Sequence, residues 1–216
     1  MKENTFSEKD SLELISQMLK QTKDNLGVGS GNIFLYYGYS AFFISLIVFG
    51  FVYFTANNVW AALWFLMFVP NVIICVKNKK DKPHVVTYMD KAIANTWLVI
   101  GALFSLTIVA IIVLGLCVGL INFALMLPLS LIYAGIGTSI TGIIMNEKVL
   151  VYTPLLSFLI AIYMLLALSI HNADTTYWHL YFGIAVVLMM IIPGHVINRK
   201  SIKQCSRNGI RSYIPS

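Results

Sequence analysis

Six stretches of the chain lack any Asp, Glu, Lys or Arg: residues 32–54, 59–76, 96–118, 120–145, 149–170 and 177–197. Within them apolar residues run almost continuously, without the alternation of a half-buried strand or the single stripe of a helix lying on a soluble core. Each is long enough for a membrane-spanning helix, since about 20 helical residues cross a hydrocarbon layer of about 30 Å. The predicted fold is therefore all-α, a bundle of six transmembrane helices. Outside the spans the pattern changes. Ser7 with Asp10 resembles a capping box, and Leu12, Ile15, Met18, Leu19 and Leu26 recur at helical spacing among Glu, Gln and Lys. Residues 1–31 are thus expected to hold an amphipathic helix on the cytoplasmic side, closed by a flexible hinge at Gly27, Gly29, Ser30 and Gly31. Its apolar stripe suits the inner leaflet, a partner's groove, or the protein's own helix ends. Asp81, Lys82 and Pro83 mark a second helix start, and the pattern runs unbroken from there into the third span.

Composition narrows the class further. Hydrophobic residues make up 58% of the 216 positions and charged residues only 11%, where a soluble domain carries about 25%. Mean hydropathy is +0.80. The three cysteines, Cys75, Cys117 and Cys205, are scattered and form neither a disulfide framework nor a metal spacing.

The charges supply orientation, because Lys and Arg near a span are retained in the cytoplasm. All fifteen fall on one side of a six-span threading: Lys2, Lys9, Lys20 and Lys23 before the first span, then Lys77, Lys79, Lys80, Lys82 and Lys91, then Lys148, then Arg199, Lys200, Lys203, Arg207 and Arg211. The opposite loops, 55–58, 117–120 and 171–176, carry only His171 and Asp174 as acidic or imidazole groups. Omitting one span would reverse every later loop. Both termini are therefore predicted cytoplasmic, with residues 1–31 as an N-terminal element, 32–198 as the membrane domain and 199–216 as a basic tail. The net charge of +6 is read as helix anchoring against anionic headgroups, and no nucleic-acid partner is expected. No cleavable signal peptide is expected, because the first thirty residues hold five acids and lack an apolar core.

The interior offers little chemistry. Ion-coupled carriers and pumps need an ionisable group within the membrane, and the spans contain no carboxylate, lysine or arginine. Enzyme activity is not expected, nor a cofactor. His171, Asp174 and His179 are weak metal candidates, better read as interfacial polar residues among Tyr177, Trp178 and Tyr181. His195, beside Pro193 and Gly194, is expected to bond a backbone carbonyl that the proline leaves without a donor. Small residues gather in the fourth span, where Gly135 with Ser139, Gly137 with Thr141 and Thr138 with Gly142 are each four apart, and Gly115 with Gly119 forms a further pair. Such faces let helices approach closely and suit a compact monomer or a homo-oligomer. Uncharged polar residues remain as candidate ligand contacts: Tyr36, Ser40, Asn71, Tyr133 and Thr138.

The segments 70–77, 141–148 and 193–200 each run from a helix breaker or small residue, through apolar residues, to a Lys seven positions on, which suggests three repeated hairpins. With its short charged N-terminal helix, six spans and Pro193-Gly-His-Val-Ile-Asn-Arg-Lys200 exit, the chain resembles the uncharacterised multi-pass inner-membrane proteins found widely in bacteria. That resemblance implies an architecture and a bacterial inner-membrane location, and no activity. Three functions stay open: a non-enzymatic sensor or accessory subunit that binds a protein partner through the N-terminal helix, a facilitative carrier or channel for a neutral or hydrophobic solute, and a lipid enzyme using His195 or His171 with Asp174.

Overall fold

The computed structural model describes residues 31–69, 88–119, 123–170 and 174–211, with side chains up to 203. Among them every regular element is helical. Helix α1 spans Asn32–Thr55, a 3₁₀ segment follows at Asn58–Met67, and α2 covers Tyr88–Val118. After a short 3₁₀ turn come α3 (Met126–Ile144) and α4 (Lys148–Ser169). The last helix is composite: α5 (Trp178–Val186), a π-helical turn (Val187–Ile191) and α6 (Ile192–Arg211). Five helices are long and apolar enough to cross a membrane. The described part of the second apolar stretch differs from the continuous α-helix expected over 59–76, being 3₁₀ over Asn58–Met67 and α-helical only at 68–69; positions 70–76 lie outside the described residues.

The composite last helix forms the centre of the bundle. Trp178, Ala185, Val186, Met189 and Ile197 are all buried, and α1, α3, α4 and the 3₁₀ segment surround them. Lipid tails are as apolar as these side chains, so close packing rather than water exclusion holds such helices together. Glycine provides the closeness. A Cβ on Gly38 would meet Ile191 Cγ1 at 2.9 Å, one on Gly194 would meet Leu35 Cδ2 at 2.9 Å, and one on Gly183 would collide with the Ser45 hydroxyl. Gly31, expected to act as a hinge, is instead buried: its N–H donates to Asn198 Oδ1 at 3.1 Å, and a Cβ there would lie 2.5 Å from the Gly194 carbonyl oxygen.

Pro193 does not end the last helix. A proline clashes with the carbonyl four residues back and cannot donate to it. Here the preceding turn widens, with the Ile192 N–H reaching Val187 O in the five-residue π register, and the helix continues to Arg211. The boundary expected between residues 198 and 199 therefore falls inside a helix.

Helix α2 stands apart. Its 31 residues extend about 46 Å at 1.5 Å per residue, well beyond the hydrocarbon thickness. Only Gly115 is buried. The half-buried positions Ala92, Thr96, Trp97, Ile100, Phe104 and Thr107 face α3, while Leu98, Leu106, Val113 and Leu116 point outward. Apolar surface of that extent is compatible with lipid surroundings and not with water.

Candidate functional site

The residues singled out in the sequence divide into three groups in space. The small residues of α3 serve two neighbours. Gly135, Ser139 and Gly142 face α4: a Cβ on Gly135 would collide with the Phe158 ring, the Ser139 hydroxyl donates to Val151 O at 3.3 Å, and a Cβ on Gly142 would meet Val151 N at 2.8 Å. Gly137 faces α2 instead, with Trp97 and Ile100 3.4 Å from its Cβ position. Gly115 is buried on α2, whereas Gly119, at φ 77°, ends that helix in open space.

The uncharged polar residues do not converge. Tyr36 is exposed on α1, where its ring meets Tyr37 edge-on at 6.2 Å. The Ser40 hydroxyl donates to Tyr36 O at 2.8 Å, within its own helix. On α3, fully buried Thr138 donates to Ala134 O at 2.8 Å and Thr141 to Gly137 O at 2.7 Å, the usual fate of hydroxyls in apolar helices. Tyr133 shares a 2.9 Å hydrogen bond with Thr107 of α2. Thus Tyr133 and Thr138 belong to the α2–α3–α4 side of the bundle and Tyr36 to the outside of α1. Asn71 lies outside the described residues.

The two described histidines, His179 and His195, are both hydrogen-bonded. His179 is buried and accepts a hydrogen bond at Nδ1 from Trp64 Nε1 at 3.2 Å, so its own proton sits on Nε2. Trp64 also packs edge-on against Phe182 at 4.7 Å, tying the 3₁₀ segment to the centre of the bundle. Asp174 caps the turn before α5 by accepting from the Thr176 N–H at 3.1 Å, and His171 lies outside the described residues. No three His, Cys, Asp or Glu side chains come together among the described residues. His195 does not take up a carbonyl freed by Pro193; its Nε2 shares a 2.8 Å hydrogen bond with the Tyr39 hydroxyl.

At the bundle end that carries Asn32 and Lys200, polar contacts are denser than the sequence suggested. Asn198 Nδ2 donates to Asn32 Oδ1 at 2.6 Å. Lys200 Nζ pairs with Glu147 Oε2 at 2.6 Å, linking α6 to the α3–α4 turn, and Glu147 is buried. Sequence reasoning missed Glu147 because nothing marks one acid in a loop as buried. The Ser201 hydroxyl is buried on the same helix without a partner among the described residues.

The Trp64–His179 bond carries a prediction. Replacing His179 with leucine strands the indole N–H in an apolar setting, a loss of about 1–3 kcal/mol. The thermal midpoint of the detergent-purified protein is expected to fall, and the Trp64→Phe, His179→Leu double variant is expected to fall less than the two singles combined. Additive losses would dismiss the bond.

Compared with known proteins, the chain matches no family model, no curated protein and no solved structure. Its function has to be argued from its own chemistry.

Proposed function

We propose that the chain is a six-span protein of the bacterial inner membrane, with both termini in the cytoplasm, that acts by binding a protein partner and not by catalysis. The six-span threading rests on the segregation of all fifteen Lys and Arg residues to one side. The main support for partner binding is the way the polar groups of the spans are used. Ser40, Thr138 and Thr141 are bonded to their own helices, Tyr133 is bonded to Thr107, and Tyr36 is exposed on α1. A route for a polar solute would need such groups turned toward a shared space. The surface left for interaction is segment 1–31, whose sequence is amphipathic, the basic tail and the apolar outward flank of α2.

The test is co-purification. Full-length protein and a variant lacking residues 1–31 are cross-linked in native membranes, extracted and compared for bound proteins. The expected result is a partner held by the full chain and lost from the deletion. An identical set of bound proteins would refute the role of the N-terminal segment, and proteoliposomes that pass a neutral solute faster than protein-free vesicles would replace this reading with the carrier.

A further inference from the structure

At the Asn32 end of the bundle, the groove between α1 and α6 changes character along its length. On the deeper side it presents Phe43 and Ile192, both exposed and apolar. One step further, the Tyr39 hydroxyl and His195 Nε2 meet at 2.8 Å, with the two rings edge-on and both side chains exposed. Beyond them stand Arg199 and Lys203, also exposed. His195, Arg199 and Lys203 are four residues apart, so on a continuous helix they form one ridge, rising about 6 Å per step. The sequence places Arg207 and Arg211 at the next two steps of the same spacing.

The cations of this ridge are not equivalent to their neighbour. Lys200 is neutralised by Glu147, whereas Arg199 and Lys203 have no carboxylate partner among the described residues. The Asn198–Asn32 bond and the Gly31–Asn198 bond hold the two helices together at this level, so the groove is set before anything enters it. Apolar wall, hydrogen-bonding rim and unpaired cations, in that order along a membrane-crossing helix, match an acyl chain, a glycerol ester region and a phosphate.

We infer that the α1–α6 groove is a binding site for an anionic phospholipid, whose phosphate is held by Arg199 and Lys203 beside the Tyr39–His195 pair and whose acyl chain lies along Phe43 and Ile192. Arg199 supplies planar, forked donors suited to phosphate oxygens, and Lys203 supplies a second charge. The site goes beyond the proposed partner binding and does not depend on it; it requires only that the helices sit in a bilayer.

The experiment measures retained lipid by native mass spectrometry, together with thermal midpoints, on full-length protein in a neutral detergent. Phosphatidylglycerol, phosphatidylcholine and inorganic phosphate are added in parallel. Wild type is expected to retain and be stabilised by phosphatidylglycerol in preference to phosphatidylcholine. Loss of two headgroup-facing charges is expected to weaken retention about 10- to 30-fold in the Arg199→Gln, Lys203→Gln variant. Its midpoint in phosphatidylcholine should match wild type, showing that it folds. The Lys91→Gln variant, which removes a cation from α2, is expected to retain lipid as wild type does. Equal retention by the double variant would overturn the site, as would equal loss in Lys91→Gln. Stabilisation by inorganic phosphate equal to that by the lipid would overturn the lipid assignment.

Discussion

Substituting Gly142 with alanine is expected to cost the bundle about 2–3 kcal/mol, among the larger losses a single methyl group can produce. The added Cβ would lie 2.7 Å from Leu150 Cβ, 2.8 Å from Val151 N and 2.9 Å from Leu150 C. Two of these are backbone atoms and cannot rotate away. The turn leading into α4 would have to move, taking with it the 2.8 Å bond from Glu147 N–H to Gly142 O. Intrinsic tryptophan fluorescence during thermal unfolding in detergent reads the loss. Gly50 provides the comparison, because its Cβ position has nothing within 4 Å; Gly50→Ala is expected to be neutral or slightly stabilising on helix propensity. Equal midpoints for the two variants would mean that α3 and α4 do not approach as closely as described.

The second large effect concerns the ion pair between Glu147 and Lys200. The Glu147 side chain is 11% exposed and that of Lys200 52%. Lys200→Met leaves a carboxylate in a largely dry site with no cation, and removing one partner of a buried pair costs about 3–5 kcal/mol. Because the lysine is half in solvent, about 2 kcal/mol is the expected loss here. Glu147 precedes the first residue of α4, where the positive end of the helix retains some favour for its charge. Glu147→Gln should nonetheless cost less than Lys200→Met, because it leaves a neutral amide in the dry site and a half-exposed lysine that water can solvate, and the double variant should recover part of the lysine loss. A double-mutant cycle in thermal midpoints measures the coupling. No coupling would show that α6 is held at this end only by Asn198, Gly194 and their neighbours.

The hydrophobic pattern was enough to predict an all-helical membrane protein, because an unbroken run of apolar residues can satisfy its backbone in lipid only as a helix or a closed barrel. Other features were legible only in part. The spacing of Gly135, Ser139 and Gly142 announced a close-packed face on α3, yet which neighbour each residue meets depends on rotation about the helix axis. Gly137, two positions from Gly135, turns to α2 and not α4. The sixth span, 177–197, runs through Pro193, but the π turn that accommodates the proline leaves no mark in composition. Gly31 looked like part of a flexible linker for the same reason: its role comes from Gly194 and Asn198, more than 160 positions away. The candidate ligand residues share polarity and little else, so the sequence grouped Tyr36 with Tyr133 and Thr138 although the bundle separates them.

The composite helix at the centre of the bundle comes, in chain order, after every described element that packs against it. Until residues 178–201 leave the ribosome, α1 has no surface for Gly38 to pack against, Trp64 has neither His179 nor Phe182, Ser157 of α4 lacks the Ala185 carbonyl it bonds at 3.0 Å, and Glu147 is a carboxylate without a cation. The mutual arrangement of the earlier helices thus waits for residues 178–201. Without those residues the glycine-lined and polar faces of the earlier helices stay open to the bilayer. The described helices are therefore locked together from their C-terminal side, with the composite helix acting as the keystone.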